Sequence, residues 1–201
     1  LKIEDLLKRN KWQVSSYMGK NGTEESFLNM HGKSPKLLHL ATHGFYYTPN
    51  RAENVDYLKG YTDAMSLSGL VLSGGNAAWL GKPLPKGVLG GILSANDIAR
   101  LDLSNTDMVV LSACQTGQGK ATSEGLYGLQ RAFKKAGVGT IVMSLWSVSD
   151  KTTSEFMTIF YERLADKNNA WNKRKAFEEA KEIIRKKHPD PFHWAAFVML
   201  D

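Results

Sequence analysis

The sequence predicts an α/β fold: a mainly parallel sheet with helices on both faces, stacked as a three-layer α/β/α sandwich. Two observations carry that prediction. Short runs that are apolar almost throughout, in "KLLHLA", "DMVVLSA" and "TIVMSLW", recur along the chain, and a strand without polar alternation is one covered on both faces. Segments of helical periodicity separate those runs, which is the arrangement that right-handed crossovers between parallel strands need. At 201 residues and 42% hydrophobic, the chain can bury a core of its own, so one domain over residues 1–201 is expected.

Taken in order, "LKIEDLLKRN" alternates charges with Leu and Ile as an amphipathic helix, and "WQVSSY" has the composition of a short strand. In "GTEESFLNMHG" Thr23 is placed to cap a helix with acids in its first turn, and Gly32 to end it. Lys36 to Ala41, bounded by Pro35 and Gly44, reads as the first buried strand, leading to His43. Residues from about 45 to 92 are rich in Gly, Pro, Asn and Tyr, with a hairpin-like piece "SLSGLVLSGGNAAWL", and read as an excursion from the core of the kind that carries binding surfaces.

Ser94 caps the short helix "ANDIARLD", and "TDMVVLSAC" is the second buried strand, ending at Cys114. Leu126, Leu129 and Phe133 repeat at helical spacing up to Gly137, and "GTIVMSLWSV" is the third strand. Asp150 opens a helix with Phe156, Ile159 and Phe160 on one side, a basic helix follows, and "HWAAFVMLD" closes the chain as a last strand.

The bulk numbers exclude several classes. Lys and Arg exceed Asp and Glu by 26 to 20, and much of the excess lies in "WNKRKAFEEAKEIIRKKH". Acids interrupt that run and Phe177, Ile183 and Ile184 fall at helical spacing, so a solvated helix face is expected rather than a nucleic-acid stripe. No apolar run is long enough for a membrane helix and no signal peptide is legible, so a cytoplasmic protein is expected. The chain begins without Met inside what reads as an amphipathic helix, so it is expected to be part of a longer protein. His31, His39, His188 and His193 form no ligand-spaced set, so no metal and no cofactor is expected; His39 is expected to be buried and hydrogen-bonded.

The sole cysteine, Cys114, stands at the end of an apolar strand. Such a residue can be a small core hydrophobe or a nucleophile held at a strand tip, and His43 beside Gly44 can cap a turn or serve as a base. In a parallel sheet the ligand site lies beyond the carboxyl ends of the strands. His43, Cys114 and Asp150 all follow such ends. A thiolate next to an imidazole is the equipment of acyl transfer, and the Gly44 and Cys114 backbone N–H groups are candidates for an oxyanion hole.

"HLATHG", "VVLSACQTG", "GVGTIVMSLWSVSD" and "SGLVLSGGNAAW" together resemble the CHAT family, caspase- and separase-like cysteine peptidase domains found beside tetratricopeptide repeats in bacteria. The resemblance implies a caspase-hemoglobinase fold with His43 as catalytic histidine and Cys114 as nucleophile. It further implies that Trp146 and Asp150 correspond to residues of the S1 region, and an acid there would favour a basic P1 residue. Helix capping through the Thr153 N–H is the alternative use of Asp150.

The function expected on these grounds is a cysteine endopeptidase acting on a protein or peptide substrate in bacterial signalling or defence. A tetratricopeptide-repeat region or other regulatory segment would lie outside this chain. A catalytically inactive interaction or scaffold module is the alternative, and a hydrolase of small acyl substrates a third reading. The segments 66–79 and 88–93 could line a groove that takes substrate as an added strand, or could simply cover the sheet with Leu70, Leu72 and Trp79. Phe45, Tyr46 and Tyr47 divide in the same way.

Overall fold

The computed structural model describes residues 2–47, 58–60, 62–84, 89–112 and 123–201. Their contacts gather into two compact units, one of residues up to Ser16 with Ser147–Met199 and one of Tyr17–Trp146 with Leu200–Asp201.

The first unit is mostly helical. It holds α1 (Lys2–Arg9), α6 (Asp150–Ala165), α7 (Lys173–Lys187) and α8 (Pro191–Trp194), and most of β7 (Phe197–Leu200). The helices begin where side-chain oxygens can accept from exposed amide donors: Ser149 from Thr152, Asn172 from Lys175 and Asp190 from Phe192. Phe156, Phe160, Phe177 and Phe197 are fully buried or nearly so. Phe156 stacks on Phe197 at 4.0 Å and meets Phe177 edge-on at 5.5 Å, giving this unit an aromatic core. Phe177 and Ile184 on the basic helix are buried, Arg185, Lys186 and Lys187 exposed, so its apolar stripe faces inward as its spacing predicts.

The second unit holds the parallel sheet. β1 (Leu37–Leu40), β5 (Met108–Leu111) and β6 (Thr140–Ser144) pair in parallel in that order, and β5 is buried along its whole length, as an apolar central strand must be. Leu40 pairs with Leu111 and Leu111 with Met143, so the carboxyl ends of the three strands lie in one row. At the chain's end Thr140 Oγ1 donates to the Asp201 carboxylate at 3.0 Å. The class is α/β, with a mainly parallel sheet flanked by helices.

A second sheet forms beside it. β2 (His43–Tyr46), β3 (Ser68–Val71) and β4 (Ile92–Ser94) are antiparallel in the order β2-β3-β4. The excursion of residues 45–92 is therefore not a self-contained hairpin: "SLSGLVLSGGNAAW" forms β3 and the short helix α3 (Gly75–Trp79), and β3 finds its partners in segments far along the chain on either side. Gly69 is needed at the sheet's centre, because a Cβ there would stand 2.8 Å from two ring carbons of Phe45 and run into the Leu93 carbonyl. Gly91 turns the chain into β4 with a φ of +67°, a conformation L side chains rarely adopt.

The remaining helices of this unit are α2 (Glu24–Leu28), α4 (Ala95–Ala99) and α5 (Ser123–Lys135). Thr23 caps α2 by accepting from the Ser26 N–H at 3.1 Å, and Ser94 with Asp97 forms a complete capping box on α4. Gly32 and Gly137 have left-handed φ values after α2 and α5, as their places in the sequence predict.

Several boundaries differ from expectation. The last strand begins at Phe197, because His193 and Trp194 of "HWAAFVMLD" belong to the short helix α8 that Asp190 caps. "WQVSSY" joins no ladder; it runs out of the first unit into the second, and no strand partner among the described residues satisfies its backbone. β1 stops at Leu40, and His43 opens β2 rather than ending β1, because the chain turns at Ala41–Thr42 to pair with β3. The ladder of β5 stops at Leu111, one residue before Ser112. The cap of α6 is Ser149 and not Asp150: the Thr152 N–H donates to Ser149 Oγ at 3.2 Å, leaving Asp150 as the first helical residue.

Candidate active site

The site is approached from the row Leu40–Leu111–Met143. His43 follows Leu40 by three positions, Cys114 follows Leu111 by three, and Trp146 follows Met143 by three. Parallel strands in register deliver the chain to the same edge at the same height, so equal offsets start from equivalent points. Cys114, together with Gln115, Thr116 and Gly117, lies outside the described residues.

His43 is exposed at the start of β2, paired with Val71 across the antiparallel ladder. Thr42 Oγ1 donates to the Val71 carbonyl, which anchors the turn before it. Gly44 is buried and pairs with Leu70. The Tyr47 N–H donates to the Leu67 carbonyl at 2.9 Å, making that a hydrogen-bonded pair. Alternation along an antiparallel ladder then makes Gly44–Leu70 a non-hydrogen-bonded pair, with the Gly44 N–H directed away from β3.

Trp146 is half-buried just past β6, and Asp150 is exposed in the first turn of α6. With Ser149 as the cap, the Asp150 carboxylate is not the cap acceptor.

His39 on β1 is half-buried, and its Nε2 lies 2.8 Å from Ser112 Oγ. Loss of solvation lowers its pKa to about 4, so the ring is neutral near pH 7. A hydrogen-bonded His39 was legible in the sequence, its burial being partial; its partner was not, since nothing in "VVLSACQTG" ties Ser112 to a residue of the first strand. The signal available was strand parity, which places residues two apart on the same face.

Of the two uses open to the segments 66–79 and 88–93, groove wall or cover for the sheet, the described residues fit cover. Leu70 is fully buried, and Phe45, Leu58, Leu67 and Ile92 form a cluster against which Tyr46, Tyr47 and Trp79 pack. Trp79 lies 5.1 Å from Phe45 and 5.4 Å from Tyr47. Beyond β4 two carboxylates take the outward backbone donors: Glu24 accepts from Gly91 at 2.8 Å, and Asp97 from Ser94 at 3.2 Å. Burial raises the pKa of Glu24 from its ordinary value. Charged side chains on these donors oppose addition of a further strand at β4.

A cavity of about 410 Å³ opens at the other edge of the parallel sheet, lined by Ser34, Lys36, Asn105, Thr106, Asp107 and Gly139 at the amino ends of β1, β5 and β6. Among the described residues no group of three or more His, Cys, Asp or Glu gathers to hold a metal ion, and no helix is long and apolar enough to cross a membrane.

An α/β protein with a mainly parallel sheet and polar residues following the carboxyl ends of its strands is built for chemistry or recognition at that edge. The model of the CHAT domain family matches residues 2–201, and the chain belongs to that family. Over 111 residues it is 32% identical to tetratricopeptide repeat protein 28 of Mus musculus and to its Homo sapiens counterpart. The match takes in 54% of this chain and 4% of each relative, so the chain spans a small part of the curated proteins it resembles. The family is related to the caspase-like peptidases, and these relatives carry tetratricopeptide repeats in their name.

Proposed function

We propose that the chain is a cysteine endopeptidase domain in which His43 and Cys114 form a catalytic dyad. The observation that supports this is the common three-residue offset of His43 and Cys114 from the paired ends Leu40 and Leu111. His43 takes the thiol proton, and the thiolate sulfur attacks the scissile carbonyl carbon. The oxygen becomes anionic and accepts from the Gly44 and Cys114 N–H groups. Collapse breaks the C–N bond, and His43 gives its proton to the departing amine. Water, deprotonated by His43, then cleaves the thioester, and the proton returns to sulfur.

Both units belong, in this reading, to one peptidase domain of a longer cytoplasmic protein. A tetratricopeptide-repeat or other regulatory segment outside the chain controls it, in bacterial signalling or defence. Asp150 and Trp146 serve the S1 region, and the use of Ser149 as helix cap supports assigning the Asp150 carboxylate to a basic P1 side chain. Asp150→Asn is expected to lower cleavage after Arg or Lys by about tenfold or more relative to neutral residues, measured on a P1 peptide library; an unchanged preference removes Asp150 from S1.

The decisive measurement is labelling of Cys114 by a peptidyl electrophile, lost in His43→Ala. Wild-type protein that stays unlabelled while its substrate-mimicking peptide binds would favour an inactive scaffold.

A further inference from the structure

We propose that His39 and Ser112 are a positioning pair, tying the carboxyl end of β1 to that of β5 and so setting the spacing from which the chain leads on to His43 and Cys114; this rests on the dyad reading above. The tie is double. The Ser112 N–H donates to the Leu40 carbonyl at 3.1 Å, and the Ser112 hydroxyl and His39 Nε2 share a hydrogen bond of 2.8 Å. Both bonds fall at the last rung of the β1–β5 ladder, whose register pairs His39 with Val110 and Leu40 with Leu111. Ser112 is two positions beyond Val110, which puts it on the same face as His39.

The neighbourhood makes a polar pair conspicuous. Leu38, Val109, Val110 and Leu111 are all buried, and two apolar groups of matching shape would serve stability about as well as a hydrogen-bonded pair there. What an apolar pair lacks is direction. A hydrogen bond between an imidazole nitrogen and a hydroxyl fixes both distance and angle where the ladder ends. His43 lies four positions past His39, and Cys114 two past Ser112. Desolvation keeps His39 neutral, so it neither repels a protonated His43 nor competes with it for the thiol proton.

The test measures iodoacetamide alkylation of Cys114, the one thiol in the chain, against pH in the full chain, with amide hydrogen exchange across residues 37–44 and 108–112 as a second readout. Ser112→Thr keeps the hydroxyl and Ser112→Val is its isostere without one; His39→Phe removes the bond from the other side. Ser112→Val and His39→Phe are expected to slow alkylation near neutral pH by about tenfold or more and move its pH profile toward that of a free thiol, with Ser112→Thr restoring the wild-type profile.

His43→Ala separates the two ideas. If it shifts the profile while Ser112→Val, folded as judged by unchanged exchange in β6 and α5, does not, the positioning pair is overturned and the dyad stands. If His43→Ala shifts nothing, the dyad reading fails. Exchange then decides the tie: faster exchange at the ends of β1 and β5 in Ser112→Val but not in Ser112→Thr supports it, and equal exchange overturns it.

Discussion

His39 and His43 sit four positions apart in "HLATHG" and have opposite surroundings. His39 is half-buried and bonded to Ser112, while His43 is exposed at the start of β2. Composition cannot tell two histidines in one motif apart; burial does. The depressed pKa of His39 has a thermodynamic consequence. The unfolded chain binds a proton near its ordinary value of 6.5 and the folded chain only near about 4. The ring therefore costs nothing above the unfolded value, and stability is lost as pH falls from there towards the folded value. The loss reaches about 3 kcal/mol at most. His39→Gln should flatten the fall in stability between these two pH values, measured by urea denaturation at several pH values. A parallel slope in both proteins would show the ring to be solvated.

Elements were legible in proportion to how local their determinants are. Caps and stops are local, so Thr23, Ser94, Gly32 and Gly137 do what the sequence says. Ser94→Ala removes the hydroxyl that accepts from Asp97 and is expected to cost about 1 kcal/mol, read as a lower denaturation midpoint. Asp150 shows the limit of local reading: Ser149, one residue earlier, competes for the same role and takes it. The strand partners of β3 were not legible, because β2 and β4 reach it through long connections. Its Gly69 can be tested directly. Gly69→Ala must push the Phe45 ring or the Leu93 carbonyl aside and is expected to destabilise by about 1–3 kcal/mol, seen in thermal unfolding. A neutral result would mean that β2 and β4 yield easily.

For the whole molecule, the predicted class came out because apolar, unalternating strands admit few arrangements: they must lie inside a sheet covered on both faces. The aromatic core of the first unit gives that statement an energy. Phe156 is fully buried between Phe197 and Phe177, and Phe156→Ala is expected to cost about 3–5 kcal/mol in chemical denaturation. A loss under about 1 kcal/mol would indicate that the neighbouring rings collapse into the gap.

By itself the sequence determined the α/β class, the extent of most helices and the family, since periodicity, caps and contiguous motifs are properties of neighbouring residues. It also named His43 and Cys114. Only the tertiary structure decided that Leu40, Leu111 and Met143 share a row, that His43 opens a strand of a second sheet, and that Ser112 is the partner of His39. Strand order and register depend on which distant segments bury each other, and no residue carries that information alone.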